Sequence, residues 1–479
     1  MLFTSQVYIA FFILCVLCYY LIPLRLRWVL LLVASYTFYS WSGREHLLIL
    51  IFDSLVAYVF ARWVSIASNG RKNKILFTGI AIIVGVLVVF KYSNFILETI
   101  GKGQLPLFAF KTDLLQDILL PIGISFYSFQ AISYLVDVSR GTTKPEKHIG
   151  VFALYLSFFP QVLAGPIERA GKLIPQLKMG TLPDSSIIFS GLKTILWGYM
   201  CKVLVADKIA LIIDPVFGTL PEQTSTSLII ATYLFGFEIY FDFYGYTNIA
   251  IGCGKVLGFD LTKNFRTPYV STSFREFWHR WHITLSTWFR DYVFLPLGGS
   301  QSGWSRWLMS ILVVFLVSGL WHGAAWNFVL WGAVHGTFYL IETCVRRVRS
   351  IDRFLSSNRW LAWIITFNLV MLSWFFFRVE STSDIAIAYD LIFSIPEGIT
   401  GDESKSGQIF GLSVVQGALF GGLLLGIVLL DSIGWINKII SKPSQSPVTL
   451  SELLFWDIGL LMLLLFGDFG TKEFIYFRF

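Results

Sequence analysis

The chain has 479 residues and a formal net charge of +7, and 55% of it is hydrophobic, 17% aromatic and only 14% charged. Soluble domains carry about 25% charged residues, so a soluble enzyme or carrier is excluded and a bilayer is the expected solvent. A positive balance of this size is what the cytoplasmic loops of a membrane protein accumulate, and no nucleic-acid partner is needed to explain it.

Apolar runs near the length that crosses ~30 Å of hydrocarbon recur from end to end. Thirteen stand out, at 7–23, 28–41, 46–64, 75–98, 115–136, 149–165, 186–206, 226–251, 307–321, 326–343, 359–377, 409–430 and 452–467. The first reads as an anchor, not a cleavable signal, because nothing basic precedes it while Arg25 and Arg27 follow. Cys15 and Cys18 lie inside it at C-x-x-C spacing, but no further ligand type is near. Packing is their expected role, and no metal site is expected.

Loop charge orients the runs. The segments 24–27, 65–74, 252–306 and 344–358 are basic and read as cytoplasmic, whereas 207–225 and 378–408 are acidic and read as external. Four apolar runs lie between 65–74 and 207–225, and an even number of crossings would bring the chain back inside. One of them must therefore enter the membrane and leave on the same side. The candidates are 115–136, containing LPIGISFYSFQ, and 149–165, leading into FFPQVLAGPIE. Pro121, Gly123, Pro160, Gly165 and Pro166 interrupt helical hydrogen bonding there, which membranes tolerate only beside protein or a wet cavity. The reading is a single integral-membrane domain, 1–479, with about twelve crossings and both termini outside.

Few residues in such a chain can do chemistry. In FEIYFDFYGY, Glu238 and Asp242 share a helix face, and two buried acids need a cavity or partners. An arginine from 252–306 is the expected partner, with substrate contact as the alternative. The stretch 271–299 reads as one helix, with Arg275, His279, His282, Ser286 and Arg290 on a polar stripe beside an aromatic one. That is the pattern of an interfacial helix whose residues are mostly anchors. A zinc site at His279 and His282 lacks a third ligand at motif spacing. His322, in FLVSGLWHGAAWNF, is an ionisable group embedded between apolar runs. It is either a functional residue or a packing histidine bonded to a backbone carbonyl. Gly319 and Gly323 would let helices or a substrate approach its ring.

The chain has no G-x-S-x-G elbow, no histidine followed five residues on by aspartate, no P-loop and no glycine-rich dinucleotide motif. The motifs it does have resemble those of the membrane-bound O-acyltransferases, in particular the bacterial alginate-type branch. They are LPIGISFYSFQAISYLVDV (120–138), FFPQVLAGPIE (158–168), FEIYFDFYGYTNIAIG (237–252), NFRTPYVSTSFREFWHRWHITLSTWFRDYVFLPLGG (264–299) and GLWHGAAWNFVLWGAVHG (319–336). Tyr244 departs from the branch, which often has serine there.

The resemblance implies an all-α polytopic membrane protein. Its fold would be a ring of about 11–13 tilted transmembrane helices, with re-entrant and interfacial helices around a central tunnel. It also implies an O-acetyltransferase of the bacterial plasma (inner) membrane with no bound cofactor. Acetyl-CoA would be the cytoplasmic donor and an extracytoplasmic polysaccharide, such as alginate or peptidoglycan, the acceptor. A periplasmic or extracellular SGNH-type transferase would be the partner. His322 matches the family's essential histidine and His282 a second one. His322 is then the expected base, and His282 or Asn327 the expected oxyanion donor. Trp321, Asn327, Asp242 and Glu238 would line the tunnel, and Arg275 and Arg290 would meet donor phosphates.

The tail 474–479, FIYFRF, is similar to a peptide that closes alginate-type chains and a small partner protein of the D-alanylation system. Tyr476 would relay the acyl group, or else the tail is an aromatic interface anchor. The other readings are a lipid or protein O-acyltransferase of the same family, a transporter with Glu238 and Asp242 as coupling acids, and a scaffold for an external transferase.

Overall fold

A computed structural model describes residues 1–101, 120–180, 183–393, 408–409, 412–441, 449–469, 472 and 474–477. The first part of the run 115–136, most of the acidic stretch beyond 393, and the tail residues Arg478 and Phe479 lie outside them.

Apart from a two-residue antiparallel pairing of Gln408–Ile409 with Leu412–Ser413, the described elements are helical. In chain order they are α1 (Gln6–Leu21), α2 (Arg27–Ser40), α3 (Arg44–Ile66), α4 (Asn69–Leu87), α5 (Ser93–Gly101), α6 (Ile124–Arg140), α7 (Ile149–Ser157), α8 (Ala170–Met179), α9 (Ser185–Tyr199), α10 (Asp207–Gly218) and α11 (Ser225–Val256). There follow α12 (Phe274–Arg280), α13 (Ile283–Phe289), α14 (Trp304–His322), α15 (Trp326–Arg346), α16 (Arg349–Ser357), α17 (Arg359–Arg378), α18 (Thr382–Phe393), α19 (Val414–Ser432), α20 (Trp435–Ser441) and α21 (Leu450–Phe466). Three π turns bridge them: Val88–Tyr92 joins α4 to α5, Met200–Ala206 joins α9 to α10, and Arg290–Phe294 extends α13.

Among the described residues, six helices are long and apolar enough to cross a membrane: Arg44–Ile66, Asn69–Ile100, Ser225–Val256, Trp304–His322, Trp326–Arg346 and Arg359–Arg378. Their outer faces are apolar, with Leu48, Phe52, Phe77, Val84, Trp360 and Leu372 exposed. An aqueous surface would not sustain that pattern, whereas lipid does. The protein is an all-α polytopic membrane protein.

Glycine sets the tightest crossings. α9 and α11 meet through facing glycines: a β-carbon on Gly198 would stand 2.7 Å from the Gly245 carbonyl oxygen, and one on Gly191 2.9 Å from that of Gly252. Helices in lipid lack a hydrophobic drive to associate, and small residues let their backbones approach. α14 and α15 form a hairpin on the same principle, with Gly319 against the Phe328 carbonyl and Gly332 against that of Phe315.

The run 149–165 does not form one spanning helix. α7 is nine residues long, about 13 Å at 1.5 Å per residue. Phe158–Gly165 then turns inside the protein, fully buried. Two of its polar groups are met as follows: Phe159 N donates to Ser35 Oγ on α2 (3.1 Å) and Gln161 Nε2 to the Tyr155 carbonyl (2.8 Å). Gly123, at φ +82°, caps α6 where the Val162 carbonyl presses against it. Only a residue without a side chain fits both the left-handed backbone and that contact.

The stretch 271–299 corrects the single-helix expectation. α12 ends at Arg280, and His282 takes the left-handed conformation (φ 42°, ψ 55°) before α13 begins at Ile283. The polar stripe therefore does not exist as a surface. Arg275, His279 and Arg290 are exposed, while His282 is completely buried.

Candidate active site

The end of α14 delivers His322 to the interior. Gly323 closes the helix, its N–H donating to the Gly319 carbonyl at 3.3 Å, and α15 starts afresh at Trp326. The imidazole of His322 is enclosed by Trp331 and Phe377, with ring centroids 5.1 and 5.3 Å away. Trp321 lies between the two histidines, 4.9 Å from His322 and 6.0 Å from His282.

His282 owes its place to the break between α12 and α13. Asn264 braces the break: its carbonyl accepts from Ile283 N at 2.9 Å and its Oδ1 from Thr284 Oγ1 at 2.6 Å. A non-glycine residue held left-handed costs about 1–3 kcal/mol, and such strain persists mainly where it serves a function.

None of the four ring nitrogens of His282 and His322 has a hydrogen-bond partner among the described residues. The backbone-carbonyl bond that a packing role for His322 calls for is not present among the described residues. His335 behaves differently, because its Nε2 is 2.7 Å from Ser373 Oγ. It sits in the core among Trp278, Trp331 and Trp374, with one ring nitrogen bonded and Nδ1 without a partner among the described residues.

The third party is the tail. Tyr476 places its ring 5.5 Å from that of His322 and 6.5 Å from that of His282. Its platform is aromatic: Phe243 at 4.7 Å and Phe474 at 5.3 Å, with Phe474 itself stacked on Tyr246 at 4.4 Å. The main chain is held too, since Ile475 N donates to Asp242 Oδ2 at 2.7 Å. Asp242 also pairs with Lys202 at 2.6 Å, and Lys202 with Asp207 at 2.8 Å. The partner of Asp242 is thus a lysine of the π turn after α9, not an arginine from 252–306. Glu238, one turn earlier on α11, is buried on the same face. Lys472 reaches Asp214 at 2.9 Å, and Asp214 in turn holds Arg378 at 3.0 Å.

A cavity of about 80 Å³ is lined by Lys91, Ser125, Phe126, Trp321, His322 and Tyr476 among others. A second, of about 550 Å³, shares Lys91 and adds Asn327, Phe328, Arg378, Glu380 and Ile475. Asn327 lines this space, but its Nδ2 donates to the Val379 carbonyl at 2.7 Å and the Phe376 carbonyl at 3.4 Å. Its amide protons are committed, so it is no oxyanion donor. Arg275 and Arg290 line neither cavity, and Arg290 pairs with its neighbour Asp291 at 2.8 Å.

A third, basic cavity of about 50 Å³ lies farther along α11, lined by Lys255, Lys263, Asn264, Tyr244 and Phe265. Lys255 is thirteen residues beyond Asp242 on this helix, or about 20 Å along its axis. Phe265 of its lining packs against Phe243 at 5.1 Å, and Phe243 against Tyr476 at 4.7 Å. Sequence reasoning passed over Lys91 and Lys255. The available signal for Lys91 was a lone lysine inside the apolar run 75–98, which is a candidate by default.

The family model described as MBOAT, membrane-bound O-acyltransferase family, matches residues 148–383, which include both histidines. A probable alginate O-acetylase AlgI of Azotobacter vinelandii is 35% identical over 448 residues, 92% of this chain and 86% of the relative. The chain belongs to the membrane-bound O-acyltransferase family. A peptidoglycan O-acetyltransferase of Helicobacter pylori is 32% identical over 73% of this chain and 71% of its own length. A teichoic acid D-alanyltransferase of Bacillus subtilis is 28% identical over 53% and 68%. As a membrane-bound O-acyltransferase the protein is an enzyme that forms esters, and its buried imidazoles, tyrosine and cavities are to be read in that light.

Proposed function

We propose that this O-acyltransferase carries acetyl groups from a cytoplasmic thioester, acetyl-CoA, to Tyr476, for onward transfer to an extracytoplasmic polysaccharide. The observation that supports it most is Tyr476 lying against two buried imidazoles with unpartnered ring nitrogens. Ester formation from an alcohol needs a base for the hydroxyl proton, and positioned imidazole contributes roughly 10²–10⁴-fold. In this reading His322 takes the Tyr476 proton as the phenolic oxygen attacks the acetyl carbon. The carbonyl electron pair moves to oxygen, then returns as the carbon–sulfur bond breaks. The departing thiolate receives the proton from His322. Trp321, Phe243 and Phe377 keep water from the ester.

In this reading the phosphorylated donor approaches from the cytoplasm through the basic cavity at Lys255 and Lys263. The acceptor then approaches from outside through the larger cavity beside Asn327. On the same reading the enzyme sits in the bacterial plasma membrane with both termini outside and works with an SGNH-type transferase that moves the acetyl group onto the polymer. The names of the relatives, alginate and peptidoglycan O-acetylating proteins, support a polysaccharide acceptor.

The test is purified protein in detergent or liposomes with labelled acetyl-CoA. Free CoA and an acetyl group on Tyr476 are expected. Both should vanish in His322→Ala, and acetyl transfer persisting in that variant overturns the assignment.

A further inference from the structure

The tetrahedral intermediate of acyl transfer carries an oxyanion, and donors aimed at it are worth about 10²–10³ in kcat. Asn327 is spent on carbonyls. Within the 80 Å³ cavity that holds His322 and Tyr476, Lys91 is the one charged residue among the described lining, and Ser125 is the one hydroxyl besides Tyr476 itself.

The two are joined. Lys91 Nζ donates to Ser125 Oγ at 3.2 Å, to the Trp321 carbonyl at 2.6 Å and to the His322 carbonyl at 3.2 Å. Tyr92, the next residue, donates its hydroxyl to the Leu320 carbonyl at 2.8 Å. Three successive carbonyls at the end of α14 are thus bound by one π turn of a neighbouring helix. A cation there suits the negative end of the α14 dipole. The π turn supplies the register: its extra residue turns Lys91 inward, and such bulges recur at functional sites. Among the described residues no carboxylate contacts Lys91, and its three N–H donors go to Ser125 and the two carbonyls.

Ser125 Oγ accepts from Lys91 and makes no donated bond among the described residues, so its proton remains for something in the cavity. It stands in the first turn of α6, whose N-terminal end also favours negative charge.

We propose that Ser125, polarised by Lys91, is the oxyanion donor of the acyl-transfer centre. This rests on the acetyl-transfer reading above. As the tyrosine oxygen bonds to the acetyl carbon, the electron pair displaced onto the carbonyl oxygen is met by the Ser125 O–H. No proton changes owner in that contact. When the carbonyl re-forms and the thiolate leaves, the hydrogen bond relaxes. Lys91 acts through Ser125 and through the α14 carbonyls, and is a positioning residue.

The test uses the full-length protein with acetyl-CoA, following CoA release and acetyl-Tyr476. Ser125→Ala and Lys91→Met should each lose about 10²–10³-fold in kcat with little change in KM. The double variant should be scarcely worse than either. Ser125→Thr and Lys91→Arg should recover part of the rate, which separates lost chemistry from lost folding. Full kcat in Ser125→Ala, a loss confined to KM, or an acetyl group found on Ser125 itself would overturn the proposal. If the unmodified protein transfers no acetyl group, it is the functional reading that falls.

Discussion

Tyr476 is held through its neighbour's main chain as much as through its own ring. The Ile475 N–H has one acceptor, Asp242 Oδ2, and Asp242 is pinned by Lys202. Asp242→Ala would free the tail backbone and leave a buried ammonium short of one carboxylate. Breaking a buried pair costs about 3–5 kcal/mol. A lowered melting temperature is expected, together with faster proteolysis at the tail and loss of acetyl transfer. Lys202→Met should give the same tail release, which ties the effect to the network. The spacing of Glu238 and Asp242 was legible in the sequence, but their surroundings were not. Lys202 lies on a different helix, and nothing local to either residue names the other. Histidines divide the same way. His322 and His335 are alike in sequence context, both apolar and glycine-flanked. Their surroundings tell them apart: His335 bonds Ser373, whereas His322 lines the cavity beside Tyr476. His335→Gln, which keeps a polar group for Ser373, should leave acetyl transfer near its original level.

At the scale of elements, the irregular pieces position the chemistry. The π turn places Lys91, the α12–α13 break places His282, and the buried turn after α7 closes the cavity floor through Leu163. Proline and glycine announced the last of these in advance, because their backbone limits are intrinsic. The break at His282 was concealed by a periodicity that two seven-residue helices satisfy as well as one long one. His282→Gly would relieve the left-handed strain but empty a buried site, at a cost of about 2–5 kcal/mol, so stability should fall together with acetyl transfer. Thermal unfolding and CoA release, measured together, check this. The glycine hairpin is less forgiving. A methyl on Gly319 would strike the Phe328 carbonyl, and overpacking of this kind costs about 1–3 kcal/mol. Gly319→Ala should lower the melting temperature and displace His322, with a matching loss of rate.

For the whole molecule, composition alone was enough for the class, since few charged residues and recurrent apolar runs admit no other solvent. The number of crossings was less legible. Apolar length does not tell a helix that spans from one that enters, bends and returns: 149–165 carries a spanning run's hydropathy and forms a nine-residue helix. Orientation rests on loop charge and can be read by labelling. With exposed Cys344 replaced by alanine, a cysteine at Gln223 should react with an impermeant maleimide in intact cells. One at Ser350 should react only after permeabilisation. The reverse pattern would turn the molecule over, and with it the assignment of donor and acceptor cavities.

The attachment of the tail has a further consequence. A segment bound by a backbone hydrogen bond, an ion pair through Lys472 and stacked rings is a peptide ligand that happens to be covalently joined to its receptor. Tethering raises its local concentration to the millimolar range, as short linkers do, so weak contacts suffice to keep it seated. They also let it leave. A chain ending at Gly467 should therefore be inactive yet folded, and synthetic FIYFRF at millimolar concentration should restore acetyl-CoA turnover, with the acetyl group carried away on the free peptide. The same groove would then accept a tyrosine peptide borne by another protein, and an unreactive phenylalanine version of the peptide would inhibit.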